Sequence, residues 1–299
     1  MGVDGAGPLG AQAGGPFGGG PFGSGLVGGL GRALTALVWI STIIFGFFIV
    51  AHYGGAIARG EPAAWNAFLP DLHRAGAPRS NAAIGAHFAL GAVLLVLGPI
   101  QLFGVVRRRA PALHRWTGRV YVAAAFATAI GGLYFIAARG TVGGPAMSVG
   151  FAIYGALMAL AAVQTARYAM ARAFDAHRAW AVRLFALAVG SWLYRMEYGL
   201  WFAANGGAPA TTPGHTEDFR GWFDVVMSYF FFVPNLIVAE LFVRGARFDG
   251  TGPTRAAAVG ALGVACAVVF VGTAFFALEV WGPSIVGALA GAPSDALAP

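Results

Sequence analysis

The chain has no lysine and a single cysteine, and it carries few charges of either sign. All nineteen of its basic residues are arginine. Guanidinium stays protonated in proteins, so none of these cations can be neutralised by a pKa shift. The lone thiol, Cys266, sits inside an apolar run; it cannot close an intrachain disulfide and reads as a small buried hydrophobe. Charged residues make up 10% of the 299, against about 25% in soluble proteins, so the composition is built for lipid. A net charge of +7 would point to nucleic acid in a soluble protein. Here the arginines fall in short loops between apolar runs, a topology signal that excludes nucleic acid as a partner. Walker loop, zinc-protease motif and nucleophile elbow are all missing.

What is present is a series of long hydrophobic runs. Residues 1 to 31 hold fourteen glycines without a period, a density that predicts a flexible tail over 1–32. It lacks the charged start of a signal peptide, so the first run, Leu34 to Val50, reads as a retained anchor. Six more follow: Asn81 to Val106, Val120 to Ala138, Ser148 to Ala166, Leu184 to Ala203, Trp222 to Val243 and Ala256 to Val280. Each approaches the ~20 residues that cross a bilayer as helix, and lipid admits only helices or closed barrels. The expected fold is an all-α, polytopic membrane bundle of about seven transmembrane helices over 33–281, with a second flexible tail over 282–299.

Orientation follows from the arginines. With the N-terminus inside, thirteen lie on the cytoplasmic side and five outside, with Arg195 left within a span. The positive-inside rule then places the N-terminus in the cytoplasm and the C-terminus outside, in a bacterial inner membrane. Trp39, Trp65, Trp116, Trp180, Trp201, Trp222 and Trp281 fall mostly near predicted helix ends, as interfacial belts do.

Between the second and third runs lies QLFGVVRRRAPALHRWTGR, and sixty-three residues on the chain reads QTARYAMARAFDAHRAWAVR. Gln101, Arg109, His114 and Arg115 align with Gln164, Arg172, His177 and Arg178. This predicts a duplicated two-helix hairpin, helices 2–3 and 4–5, within a core over about 81–203. The His-Arg pairs admit three readings. They are interfacial anchors; or the two imidazoles ligate one haem b iron, with Arg115 and Arg178 holding its propionates; or they clamp an anionic lipid or a quinone. His52 and His87, at similar depth near the other face, are candidates for an outer haem site, or else packed core histidines.

Arg195 is the costliest residue, at least ~2.5–3.5 kcal/mol within a span, which predicts a carboxylate partner; Asp224 and Glu279 lie at suitable depth. Gln101 and Gln164 read as interhelical hydrogen-bonding amides, and Gly98-Pro99 predicts a kink with freed carbonyls. His215, Glu217 and Asp218 form a weak metal or capping cluster.

At HFALGAVLLVLGPIQ, LHRWTGRVYV and HRAWAVRLFAL, followed by Arg195, the chain resembles a bacterial membrane family known as domain of unknown function 2306. The likeness covers roughly residues 81–240 and implies a polytopic fold with a shared interest in His87, Gln101, His114, Arg115, His177, Arg178 and Arg195. It implies no activity. The hairpins are also similar to two-haem membrane cytochromes of the b561 kind, although the fourth run here holds no histidine where those proteins need ligands on four neighbouring spans. Two functions are carried forward: a b-type haem protein moving electrons, and a non-redox binder of an anionic lipid or small solute between the hairpins. A structural or assembly subunit is the third.

Overall fold

The computed structural model describes residues 25–67, 73–245 and 252–290, apart from the side chains of residues 67, 80 and 84, and they are helical almost throughout. Helix α1 (Gly25–Ile49) runs through a π-helical turn at Val50–Gly54 into α2 (Gly55–Ala58). Then come α3 (Pro78–Leu102), a short α4 (Gly104–Arg109), α5 (Pro111–Arg139) and α6 (Gly144–Met170). They are followed by α7 (Phe174–Ala188), α8 (Gly190–Ala204), α9 (Trp222–Phe230) and α10 (Val233–Gly245). Helix α11 (Pro253–Phe276) continues through a second π-turn, Ala277–Trp281, into α12 (Gly282–Leu289).

Among the described residues, six helical stretches are long and apolar enough to cross a membrane, and each buries no more than 33% of its most apolar window. Most of their surface therefore faces outward, carrying residues such as Phe47, Phe126, Phe135, Ile153, Val264 and Phe270. An apolar exterior of that extent suits lipid and not water.

The fifth expected span, Leu184 to Ala203, is not a single helix. It belongs to α7 and α8, two fifteen-residue helices parted at Val189. This pair is the bundle's interior, with Leu184, Leu187, Trp192 and Met196 all no more than 2% exposed. Helix α7 packs on α3, α6 and α10, and α8 on α11. Surrounded by protein, it has no need of unbroken hydrophobicity, so Arg183, Ser191, Arg195 and Glu197 are tolerated on it. The break sits where a Cβ on Gly190 would meet the Phe231 carbonyl at 3.1 Å.

Small residues let the other helices close on one another. A Cβ on Gly150 of α6 would fall 2.4 Å from the Ser228 carbonyl of α9, and one on Gly272 of α11 would strike the Met196 side chain at 2.3 Å.

Several expectations are corrected at the ends. Helix α1 begins at Gly25, inside the stretch read as a flexible tail, because Val27, Gly28 and Gly31 are buried, with Val27 packing among Val243, Ala258 and Leu262. Residues 1–24 lie outside the described part, as do 291–299. Residues 282–290, read as the start of a loose tail, are almost entirely α12. The second run stops at Leu102 instead of Val106, since Phe103 is extended. The tryptophan belt is partial: Trp116 and Trp222 are exposed, whereas Trp65 and Trp281 are core residues, the Trp65 indole donating to the Tyr53 carbonyl at 3.0 Å.

Candidate functional site

Two polar centres stand out, one where α7 begins and one on α8 just beyond its break from α7. At the first, α5 and α7 both begin beside the end of α4. Ala110 and Ala173 occupy the N-cap positions, and their carbonyls accept from the His114 and His177 backbone N–H groups at 3.1 and 2.9 Å. The local geometry of the two His-Arg pairs therefore corresponds. The connections before them differ: a six-residue helix precedes Ala110, whereas the α6–α7 turn places Arg172 at φ 55°.

Gln101, at the end of α3, locks His114. In the amide orientation that satisfies both of its ends, its NH2 donates to His114 Nδ1 and to the His114 carbonyl, each at 3.2 Å. Its oxygen accepts from Thr117 at 2.6 Å and from the Gly118 N–H at 3.3 Å. An accepting Nδ1 puts the His114 proton on Nε2. His177 is the opposite case: its Nδ1 lies 2.9 Å from the buried Thr165 carbonyl and must donate to it, so Nε2 keeps its lone pair. His177 and Arg107 lie within electrostatic reach of His114, and Arg107 and Arg178 within reach of His177. Burial, then neighbouring Arg178 and Arg108, hold the Arg107 guanidinium below its ordinary pKa. Arg178 also contacts Asp175 at 3.2 Å. Arg115, its expected counterpart, is exposed but within electrostatic reach of His114, where Arg107, which the alignment did not single out, joins it. Gln164 is not equivalent to Gln101 either, since its buried Oε1 has no hydrogen-bond partner among the described residues.

At the second centre, Arg195 has no carboxylate partner among the described residues. Its Nη1 donates to the Ser191 carbonyl at 2.7 Å, one turn back on α8. Around it lie Tyr53 of the π-turn, Tyr154 of α6 and Tyr194 of α8, and His87 of α3 is within electrostatic reach. The Tyr154 hydroxyl also donates to the Leu187 carbonyl at 2.9 Å, beside the break between α7 and α8. Asp224, expected as the partner, is committed elsewhere. It is fully buried and accepts from the Tyr198 hydroxyl at 2.8 Å, His215 Nδ1 at 2.8 Å, and the Gly221 and Thr216 backbone N–H groups at 3.0 and 3.1 Å. Glu279 is exposed in the second π-turn. Of the weak cluster read at 215–218, His215 is thus a ligand of Asp224, while Glu217 and Asp218 are exposed. No group of three or more His, Cys, Asp or Glu side chains is placed to hold a metal ion among the described residues.

His52 is fully buried, its ring stacked on Phe48 at 5.6 Å and edge-on to Tyr53 at 4.9 Å. His87 is exposed on α3. An outer haem site shared by these two rests on the sequence alone. Tyr53, Tyr154, Tyr194 and Tyr198 were passed over in the sequence; their signal was phenols inside otherwise apolar runs, Tyr194 and Tyr198 flanking the one arginine there.

Helices of this length, an exterior this apolar and polar groups gathered at the inner rod define a polytopic membrane protein. Residues 84–243 match the family model described as "Predicted membrane protein (DUF2306)", more than half of the chain, and the protein belongs to that family. No curated protein and no solved structure matches it.

Proposed function

We propose that this is a bilayer-embedded binder of an anionic headgroup, taking a phosphate-bearing amphiphile against Arg107, His114, His177 and Arg178. The observation that carries this is convergence of charge. Arg107 from the first hairpin lies within electrostatic reach of both imidazoles, with Arg115 also near His114 and Arg178 from the second hairpin near His177 and Arg107. Asp175, paired with Arg178, is a single carboxylate against several guanidinium groups. The N-termini of α5 and α7, whose macrodipoles favour anions, open at the same place. The arginine distribution puts this end at the cytoplasmic leaflet, where anionic lipids collect. His114 would donate through Nε2 to a phosphate oxygen, and the arginines would supply the charge.

The test is thermal unfolding in detergent supplemented with phosphatidylglycerol or with phosphatidylcholine of matched chains. The anionic lipid should stabilise the wild type selectively, and the Arg107→Gln, Arg178→Gln double variant should lose that selectivity while keeping its helicity. Equal stabilisation by the two lipids would overturn the proposal.

A haem b between the hairpins is the second reading, favoured by His177. An imidazole whose Nδ1–H is fixed on a carbonyl presents Nε2 to a metal in the way axial ligands do. His114 would have to release Gln101 and move its proton to match. Absorbance decides: a Soret band lost on His177→Ala supports this reading, and a colourless protein expressed with added haem precursor ends it.

A further inference from the structure

The centre around Arg195 is separate from the proposed headgroup site and has a different chemistry. Inside a membrane bundle a cation is ordinarily matched by an anion or by water, and the carboxylates nearest in sequence do not serve. Glu197 is two residues away with a buried Oε2 that has no hydrogen-bond partner among the described residues. Asp224 is saturated by its four donors. The groups around the guanidinium are hydroxyls and an imidazole, and they come from four separate helical segments: the π-turn after α1, α3, α6 and α8.

These neighbours are donors that also accept; they can surround a bound anion, and they do not neutralise Arg195. Nη1 is engaged by Ser191, which leaves Nε and Nη2 of the planar fork to present two parallel N–H bonds. Tyr194 packs on Tyr198 at 4.8 Å, and Tyr198 is itself anchored on Asp224. The Tyr194 ring is held besides by Phe151 at 5.6 Å and Phe231 at 5.2 Å, so this wall is built in advance of any ligand. Arg195 is enclosed yet keeps part of its surface open, and His87 beside it is exposed. The guanidinium can therefore be met from outside the bundle.

We propose that this centre binds the carboxylate of a small organic monoanion, with Arg195 as a bidentate clamp and the hydroxyls of Tyr53 and Tyr194 donating to it, while Tyr154 stays bound to the Leu187 carbonyl. A single guanidinium fixes the class: one positive charge is balanced by a monoanion, whereas a phosphate dianion would bring an uncompensated charge into low dielectric. The planar fork also matches a planar carboxylate. The same head can arrive on a fatty acid from the lipid or on a short acid from water, and the exposed His87 is met by either.

The experiment is thermal unfolding of the full chain in detergent with dodecanoate, butyrate, dodecanol or dodecyltrimethylammonium. Stabilisation by dodecanoate alone identifies a lipid-phase acid. Stabilisation by butyrate at similar concentration identifies a water-phase acid. In both cases Arg195→Gln should weaken the effect by roughly tenfold or more, as expected for a lost charge-assisted pair. Should that variant fail to fold, the Tyr53→Phe, Tyr194→Phe double variant, which keeps Arg195, should lower carboxylate affinity severalfold without changing the response to phosphatidylglycerol. Equal responses to dodecanoate and dodecanol, or a carboxylate effect untouched in these variants, would overturn the proposal, whatever becomes of the headgroup site.

Discussion

The hydroxyl of Thr42 in α1 reaches the carbonyl of Leu95 in α3 across 3.4 Å, and both are buried. Leu95 is four residues before Pro99, which has no N–H to give it. The same hydroxyl lies 3.1 Å from the Trp39 carbonyl of its own helix, so its one proton is shared between that carbonyl and the one proline leaves open in α3. Thr42→Val should lower stability by about 1 kcal/mol, the usual net value of such a bond, and Thr42→Ser should recover most of it. Thermal unfolding of the three proteins in one detergent measures the difference; a Val variant as stable as wild type would mean that the Leu95 carbonyl needs no partner.

The closeness of α6 and α9 can be tested with a single methyl group. Gly150→Ala would drive a Cβ into the Ser228 backbone, 2.4 Å from its carbonyl oxygen, whereas a Cβ on Gly131 in α5 meets nothing within 4 Å. The first substitution should cost about 1–3 kcal/mol through overpacking. The second should be neutral or gain up to about 1 kcal/mol from helix propensity. Similar melting temperatures for the two variants would refute the close contact.

Asp224 is the most heavily committed acid described. Asp224→Asn replaces a four-fold acceptor by a group that turns two donors toward donors, and should destabilise by about 1.5–3 kcal/mol. Asp218→Asn, at an exposed acid, should do almost nothing. Partial proteolysis of the 205–221 connection offers a second readout, with faster cleavage expected in the Asp224 variant only.

How much of this was visible beforehand depends on what kind of constraint each residue answers. The lipid-facing helices were legible because a bilayer demands a long apolar run whatever the neighbours are. The carbonyl freed by Pro99 was legible because a missing N–H is a local fact. The division of α7 from α8 was hidden: Gly190 looks like any other glycine in this chain, and only the Phe231 carbonyl beside it gives it meaning. The sequence showed that Arg195 would need company but not which, since cost depends on depth whereas partnership depends on packing. For the same reason the His114 and His177 pair was found by its offset, while Arg107, brought in by the end of a different helix, was not.

Thirteen arginines against five predict a cytoplasmic N-terminus and a cytoplasmic His114 end. A reporter active only outside the inner membrane should be on when fused after Gly140 or Gly206 and off after Ala110 or Gly250. The reverse pattern would move the headgroup site to the other leaflet.

The rod formed by α7 and α8 has a consequence for how the protein is made. A segment carrying Arg183, Arg195 and Glu197, and broken at its middle, is a poor candidate to leave the insertion machinery for lipid by itself. Its environment in the finished bundle is other helices, of which α3 and α6 are synthesised before it, and α10 and α11 after it. Assembly must therefore hold this segment beside its predecessors until the later helices arrive to enclose it. A chain ending at Ala204 would possess every residue of the rod and still lack the wall that keeps it from the lipid.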